Sequence, residues 1–153
     1  RQSILENLQR MTAGSPPGTI ATESVHDSID FRGQSGLLGL SNRGDSAGNS
    51  RPEDPNVTME PERLRLLADS HRTGLRVSSH DQVALNRPRI GGYEIVDAAR
   101  RFPQIDAVSA EFRREFLTGG ADELSPERIE NLAQDLQRSW LHYRTSSTST
   151  SRI

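Results

Sequence analysis

The sequence contains no cysteine and no lysine, and it has few aromatic residues. Without cysteine, the 153 residues can form neither a disulfide bond nor a thiolate zinc site. All 19 basic residues are arginine, whose planar, permanently charged guanidinium binds carboxylates and phosphates bidentately. Two explanations of the missing lysine stay open: a codon bias towards arginine, or selection against modification of lysine such as ubiquitination.

The sequence also lacks a long apolar run, a signal-peptide core at its start and a strong net charge. A transmembrane helix needs roughly 20 consecutive apolar residues, so we expect no membrane insertion. The net charge of −2 argues against nucleic-acid binding, which depends on clustered positive charge. The compartment is undetermined, with a virion or the cytoplasm of a host cell favoured. Because Arg1 is not methionine, a fragment or processed product stays an open alternative.

The composition changes near residue 57, which predicts an organisation in four parts. Residues 13–56 are rich in glycine, proline, serine and asparagine, and they cannot bury enough apolar surface to offset their chain entropy. We expect an extended or disordered arm there. It follows a short docking helix at residues 1–12 and precedes a helical module at residues 57–144. Residues 145–153 are expected to form a flexible tail.

The module has the start and stop signals of several helices, and we identify no alternating strand pattern of useful length. Capping residues, proline positions and apolar spacing predict helices over residues 61–72, 95–102, 106–118 and 125–144, with a brief turn at residues 81–85. The fold class predicted is therefore mostly α: a small bundle of four to five short helices with a long extended or irregular N-terminal arm. Six of the seven aromatic residues are expected to mark its core: Tyr93, Phe102, Phe112, Phe116, Trp140 and Tyr143.

Residues with catalytic or metal-binding chemistry show no specific spacing. The histidines form no metal-binding pattern, and the dipeptide of His80 and Asp81 is too short to indicate a ligand pair. The sequence has no nucleophile elbow and no phosphate-binding loop. We therefore predict that the chain is not an enzyme and uses no cofactor and no metal.

Three sets of residues are candidates for binding a partner. The apolar set comprises Ile4, Leu5, Leu8 and Met11 in the docking helix and Leu37, Leu38 and Leu40 in the arm. Arg87 and Arg89 precede a flexible pair of glycines, and such an arrangement can accept a carboxylate or a phosphate. Arg43, Gly44 and Asp45 spell the tripeptide that many integrin ligands display, so an integrin is a weaker candidate partner.

The arm and the module together indicate the class of function. Because the arm cannot order itself, a neighbouring molecule must hold it. We predict a non-enzymatic structural or cementing component of a large multi-subunit assembly, such as a virion, that binds neighbouring protein subunits. The alternative is a secreted effector or adaptor whose helical module binds a host protein. A third class, nucleic-acid binding, would need six arginines on one face: Arg87, Arg89, Arg100, Arg101, Arg113 and Arg114.

Overall fold

The computed structural model describes residues 18–26, 37–77, 82–87, 90–118 and 125–150. Within these residues the chain forms four strands and four helices: β1 (Thr19–His26), β2 (Leu38–Ser41), α1 (Pro61–Leu75), β3 (Val83–Leu85), α2 (Tyr93–Arg101), β4 (Asp106–Arg113), α3 (Arg114–Thr118) and α4 (Pro126–Thr150). The fold is therefore a mixture of α and β structure. The prediction of a mostly α bundle with a long irregular arm is wrong.

The strands form one mixed sheet in the order β1-β4-β2-β3. β4 pairs in parallel with β1, with Thr19 opposite Asp106, and antiparallel with β2, with Leu38 opposite Phe112. β3 pairs in parallel with the other side of β2. The sheet thus joins strands from both sides of residue 57, where the composition changes.

β4 occupies most of the segment for which a helix after Asp106 is predicted. Val108 and Phe112 are four residues apart, which places them on one face of a helix but equally on one face of a strand. Ala110 completes that face, and Ser109 is buried on the opposite face. Residues 108–113 alternate apolar and polar side chains, as a strand does, and the helix prediction overlooks this signal because Val108 and Phe112 also have helical spacing.

The main core lies between one face of the sheet and the helices α1 and α4. Its fully buried apolar side chains include Leu38, Leu40, Met59, Leu64, Leu67, Val83 and Val108. The other face of β4 is covered by α2, which buries Ile95 and Val96. Among the aromatic residues predicted to mark the core, Tyr93 is 67 % exposed, whereas the other five are buried or half-buried.

The helices α1, α2 and α4 begin close to the predicted positions, and α1 and α4 continue further than predicted. Gly74 does not end α1: Arg76 adopts the left-handed conformation that closes the helix, with φ of 57°. Residues 145–150, expected as part of a flexible tail, continue α4. The Thr145 hydroxyl donates to the Leu141 carbonyl at 3.1 Å. In the described ranges no helix is both long and apolar enough to cross a membrane.

Candidate protein-binding surface

The candidate site is built on Asn42, which follows β2 and is fully buried. Its amide Nδ2 donates to the backbone oxygens of Gly48 and Met59, at 2.8 and 2.7 Å. Its Oδ1 accepts the Gly44 N–H at 3.0 Å and Asn86 Nδ2 at 2.8 Å. The Asn42 side chain therefore has a partner for every hydrogen bond that an amide ordinarily makes.

Asn42 orders the segment between β2 and α1, which we call the polar loop (residues 42–60). Near its far end, the Thr58 N–H donates to the Asn42 carbonyl at 3.1 Å. The Thr58 hydroxyl donates to the Ala107 carbonyl at 2.6 Å, and the Ala107 N–H donates to the Thr58 carbonyl at 2.9 Å. The polar loop is thus fastened to β4 by hydrogen bonds, and Met59 near its end adds a side chain to the main core.

The integrin-type tripeptide at residues 43–45 lies at the start of the polar loop, where the chain itself engages both charged groups. Arg43 forms an ion pair with Asp54, and its side chain is 19 % exposed. The Asp45 carboxylate accepts backbone N–H groups of the turn that ends at Asn49, and these bonds lower its pKa. An integrin would have to break these contacts, so the geometry gives that candidate no support.

Asp54 fixes the position of Asn56 through hydrogen bonds. Its Oδ2 accepts hydrogen bonds from Arg43 and Arg51, and its Oδ1 accepts the N–H and Nδ2 of Asn56 at 3.2 and 2.8 Å. The bond from the Asn56 side chain, followed by the contact with Arg43, lowers the pKa of Asp54 from 3.8 to about 2. The carboxylate is therefore ionised at neutral pH. It holds Nδ2 of Asn56, which leaves Oδ1 of that amide as an acceptor for another residue.

That acceptor binds Arg100 at the end of α2. Arg100 Nη2 donates to Asn56 Oδ1 at 3.2 Å, and Nη1 donates to Tyr93 Oη at 3.1 Å. The guanidinium carbon lies 5.9 Å from the centre of the Tyr93 ring, within range of a cation–π interaction. We call these three exposed residues, Asn56, Tyr93 and Arg100, the Tyr93 cluster.

The glycine pair before α2 shows a different arrangement from the predicted anion site. The Glu94 carboxylate folds back against Gly92, so an anion of the chain itself already faces the N-terminus of the helix. Arg87 is exposed, and Arg89 lies outside the described residues. This geometry gives no support to an external phosphate at that place.

The other residues predicted to bind a partner divide into two groups. Leu38 and Leu40 belong to the core of the chain itself, so their side chains are not available to a partner in this fold. Leu37 is half-buried, and its N–H donates to the Gln82 carbonyl at 2.8 Å. The residues of the predicted docking helix lie outside the described residues: Ile4, Leu5, Leu8 and Met11.

One contact between helices has the composition of a catalytic pair. Ser70 Oγ lies 3.0 Å from His142 Nδ1, as a nucleophile lies beside its base. Ser70 is fully buried, however, and its hydroxyl donates to the Leu66 carbonyl at 2.8 Å. A substrate cannot reach this oxygen, so the contact serves the packing of α1 against α4. The prediction that the chain is not an enzyme stays a prediction.

An open cavity of about 410 Å³ lies where α1 begins. Its lining residues are Asn49, Glu60, Pro61, Glu62, Arg63 and Arg65. Arg63 forms an ion pair with Asp106 at 2.5 Å, and burial raises the pKa of that carboxyl. Two glutamates face two arginines in this cavity, so it does not select an ion of either sign.

The sequence contains a signal for the Tyr93 cluster. The prediction that Tyr93 belongs to the core conceals it. Tyr93 and Arg100 are seven residues apart, so they share one face of a helix, which borders the apolar stripe of Ile95, Val96 and Ala99. The contact with Asn56 has no such signal, because it joins residues 44 apart in the chain.

Comparisons of this chain with protein-family models, with curated proteins and with solved structures find no match.

Proposed function

We propose that the chain is a non-enzymatic protein-binding module and that the Tyr93 cluster is its binding surface. The observation that carries this proposal is the exposure of Tyr93 beside an arginine that the fold holds in place. Tyrosine and arginine are enriched among the residues that dominate binding energy at protein interfaces. A tyrosine ring also provides a large contact area with few rotatable bonds.

The cluster is organised before any partner arrives. Asp54 orients Asn56, Asn56 and Tyr93 orient Arg100, and the polar loop is fastened to the sheet. A side chain that is already ordered loses less conformational entropy on binding, which leaves more of the contact energy as affinity. The buried polar network therefore supports the proposal as well as the exposed residues do.

Between the two classes expected from the sequence, this geometry favours an adaptor that binds another protein through its folded module. A cementing component would need an arm that reaches across neighbouring subunits. The parts of residues 13–56 that the structure describes instead form β1, β2 and most of the polar loop. A component of a large assembly stays the alternative function, and that function would depend on residues outside the described ranges.

A display selection tests the proposal without knowledge of the natural partner. The full chain is used to select binders from a random peptide library, and the binding site of each selected peptide is mapped by chemical-shift perturbation. We expect the perturbations to centre on Asn56, Tyr93 and Arg100. Tyr93→Ala should weaken binding by about tenfold or more, because it removes the aromatic anchor of the surface.

Ile129 provides the matched control, since it is an apolar side chain of similar exposure, 51 %, on the distant helix α4. Ile129→Ala should leave the affinity within about twofold of the unsubstituted chain. A selection that yields no binders, or perturbations centred on another face, would contradict the proposal.

A further inference from the structure

The Tyr93 cluster holds a positive charge that the described part of the chain does not neutralise. Arg100 contacts two neutral oxygen atoms and an aromatic ring, and in the described residues no carboxylate lies within 4.0 Å of it. The other arginines around the cluster each contact a carboxylate. The ion pairs around the cluster are Arg43 and Arg51 with Asp54, Arg51 with Glu53, and Arg101 with Asp97. Among the arginines around the cluster, Arg100 is therefore the one that contacts no carboxylate of the described residues.

A guanidinium has more N–H donors than the two contacts of Arg100 use. The contacts occupy Nη1 and Nη2 with one neutral acceptor each, so other N–H groups of the planar fork can still donate. Such a fork matches the two oxygens of a carboxylate, and a hydrogen bond between ionised groups is about twice as strong as one between neutral groups. The exposed Tyr93 ring lies beside this fork and offers an apolar surface.

We propose that the partner is a protein segment that places an aspartate or glutamate carboxylate on Arg100 and an apolar side chain on Tyr93. This inference rests on the function proposed above, because it assigns the chemistry of the partner at that same surface. A carboxylate complements the guanidinium of Arg100, which contacts no carboxylate of the described residues. The acids nearby disfavour a more highly charged ligand such as a phosphate: Glu53, Glu94 and Asp97.

The peptides from the display selection also test this inference. We expect most peptides that map to the Tyr93 cluster to contain an aspartate or glutamate next to an apolar residue. Replacement of that acid by its amide should lower the affinity about tenfold, and Arg100→Gln should do the same. When both partners are changed, the losses should not add, because each change removes the same interaction.

Arg101 is the matched control for Arg100. It is the next residue along α2 and is also exposed, but Asp97 neutralises it at 3.0 Å. Arg101→Gln should change the affinity less than about twofold. Circular dichroism of both variants should match that of the unsubstituted chain, since neither side chain is buried. Arg100→Lys, which keeps the charge without the planar fork, should recover only part of the lost affinity.

The outcomes separate this inference from the proposed function. Peptides that bind at the Tyr93 cluster without an acidic residue, or that tolerate Arg100→Gln as well as Arg101→Gln, would overturn the carboxylate while leaving the binding surface intact. The absence of any binder at the cluster would overturn both. Reversible dimerisation that Arg100→Gln abolishes would make a second copy of the chain the occupant, and it would also overturn the inference.

Discussion

Asn42 helps to hold the polar loop in place through hydrogen bonds, whereas an ordinary domain is held together mainly by a cluster of apolar side chains. Its amide contacts the loop at Gly44, Gly48 and Met59, and it also bonds to Asn86, which follows the neighbouring strand β3. Buried polar groups destabilise a fold strongly when they lose their partners, so the loss of this one side chain should weaken the whole segment.

Asn42→Ala should therefore lower the free energy of unfolding by at least about 3 kcal/mol, because it leaves several buried donors and acceptors without partners. Urea denaturation measures this loss. Asn49→Ala is the control: the Asn49 side chain is exposed and meets Asp45 only at 3.4 to 3.5 Å, so we expect a loss below about 1 kcal/mol. Equal losses for the two variants would show that the polar loop does not depend on Asn42.

His71 makes stability depend on pH. The imidazole is buried, its Nδ1 donates to the Leu67 carbonyl at 2.9 Å, and its ring packs edge-on against Trp140. Burial lowers the pKa of His71 below its ordinary value of 6.5. The unfolded chain binds this proton at a higher pH than the folded chain. The stabilisation is therefore complete above about pH 6.5 and is lost as the pH falls towards the lower folded value.

We expect the urea midpoint of the unsubstituted chain to fall between pH 7.5 and pH 5.5. In His71→Phe the fall should be smaller, because the phenyl ring cannot bind a proton. The comparison uses the change with pH and not the absolute stability, so a general destabilisation by the larger ring does not affect it. The same fall in both proteins would exclude His71 as the cause.

At the scale of elements, the contact between α1 and α4 depends on the absence of a side chain at Gly74. A Cβ atom there would lie 2.1 Å from Ser139 Oγ, 2.6 Å from Ser139 N and 2.8 Å from the Asp135 carbonyl oxygen. Two of these atoms belong to the backbone of α4, so a rotamer change cannot relieve the overlap. The two helices can approach this closely only with glycine at that position.

Gly74→Ala should lower the free energy of unfolding by about 2 to 3 kcal/mol, because α4 must move away from α1. A loss of stability would be informative, because replacing glycine by alanine in a helix ordinarily raises its stability by about 1 kcal/mol. Gly92→Ala is the control, because the atoms nearest to a Cβ there belong to the end of the Glu94 side chain, which can rotate away, and not to a backbone. Thermal unfolding of both variants measures the difference, and a stabilised Gly74→Ala variant would contradict the tight contact.

At the scale of the whole molecule, local signals in the sequence predict the helices and miss the sheet. Pro61 and Pro126 mark where α1 and α4 begin, because proline fits the first turn of a helix. β2 and β3, with four and three residues, are too short to show an alternating pattern. Residues 108–113 of β4 do alternate, but Val108 and Phe112 fit the spacing of a helix equally well.

The candidate site is less predictable than the helices because its order comes from contacts between distant residues. The composition of residues 13–56 predicts an arm that cannot order itself, and it does not reveal that Asn42 and Asn86 bond to each other across 44 positions. The exposure of Tyr93 likewise depends on which face of α2 meets β4. A stripe analysis of α2 predicts that face, and a count of aromatic residues does not.

The position of β4 in the chain has a consequence for synthesis. Of the described strands, β1 has no neighbour except β4, and the antiparallel pairing of β2 also needs β4, yet β4 is the last of the four to be translated. A nascent polypeptide that ends before Asp106 can pair only β2 with β3. In the described sheet, β1 therefore has no partner strand until β4 has been synthesised and has left the ribosome.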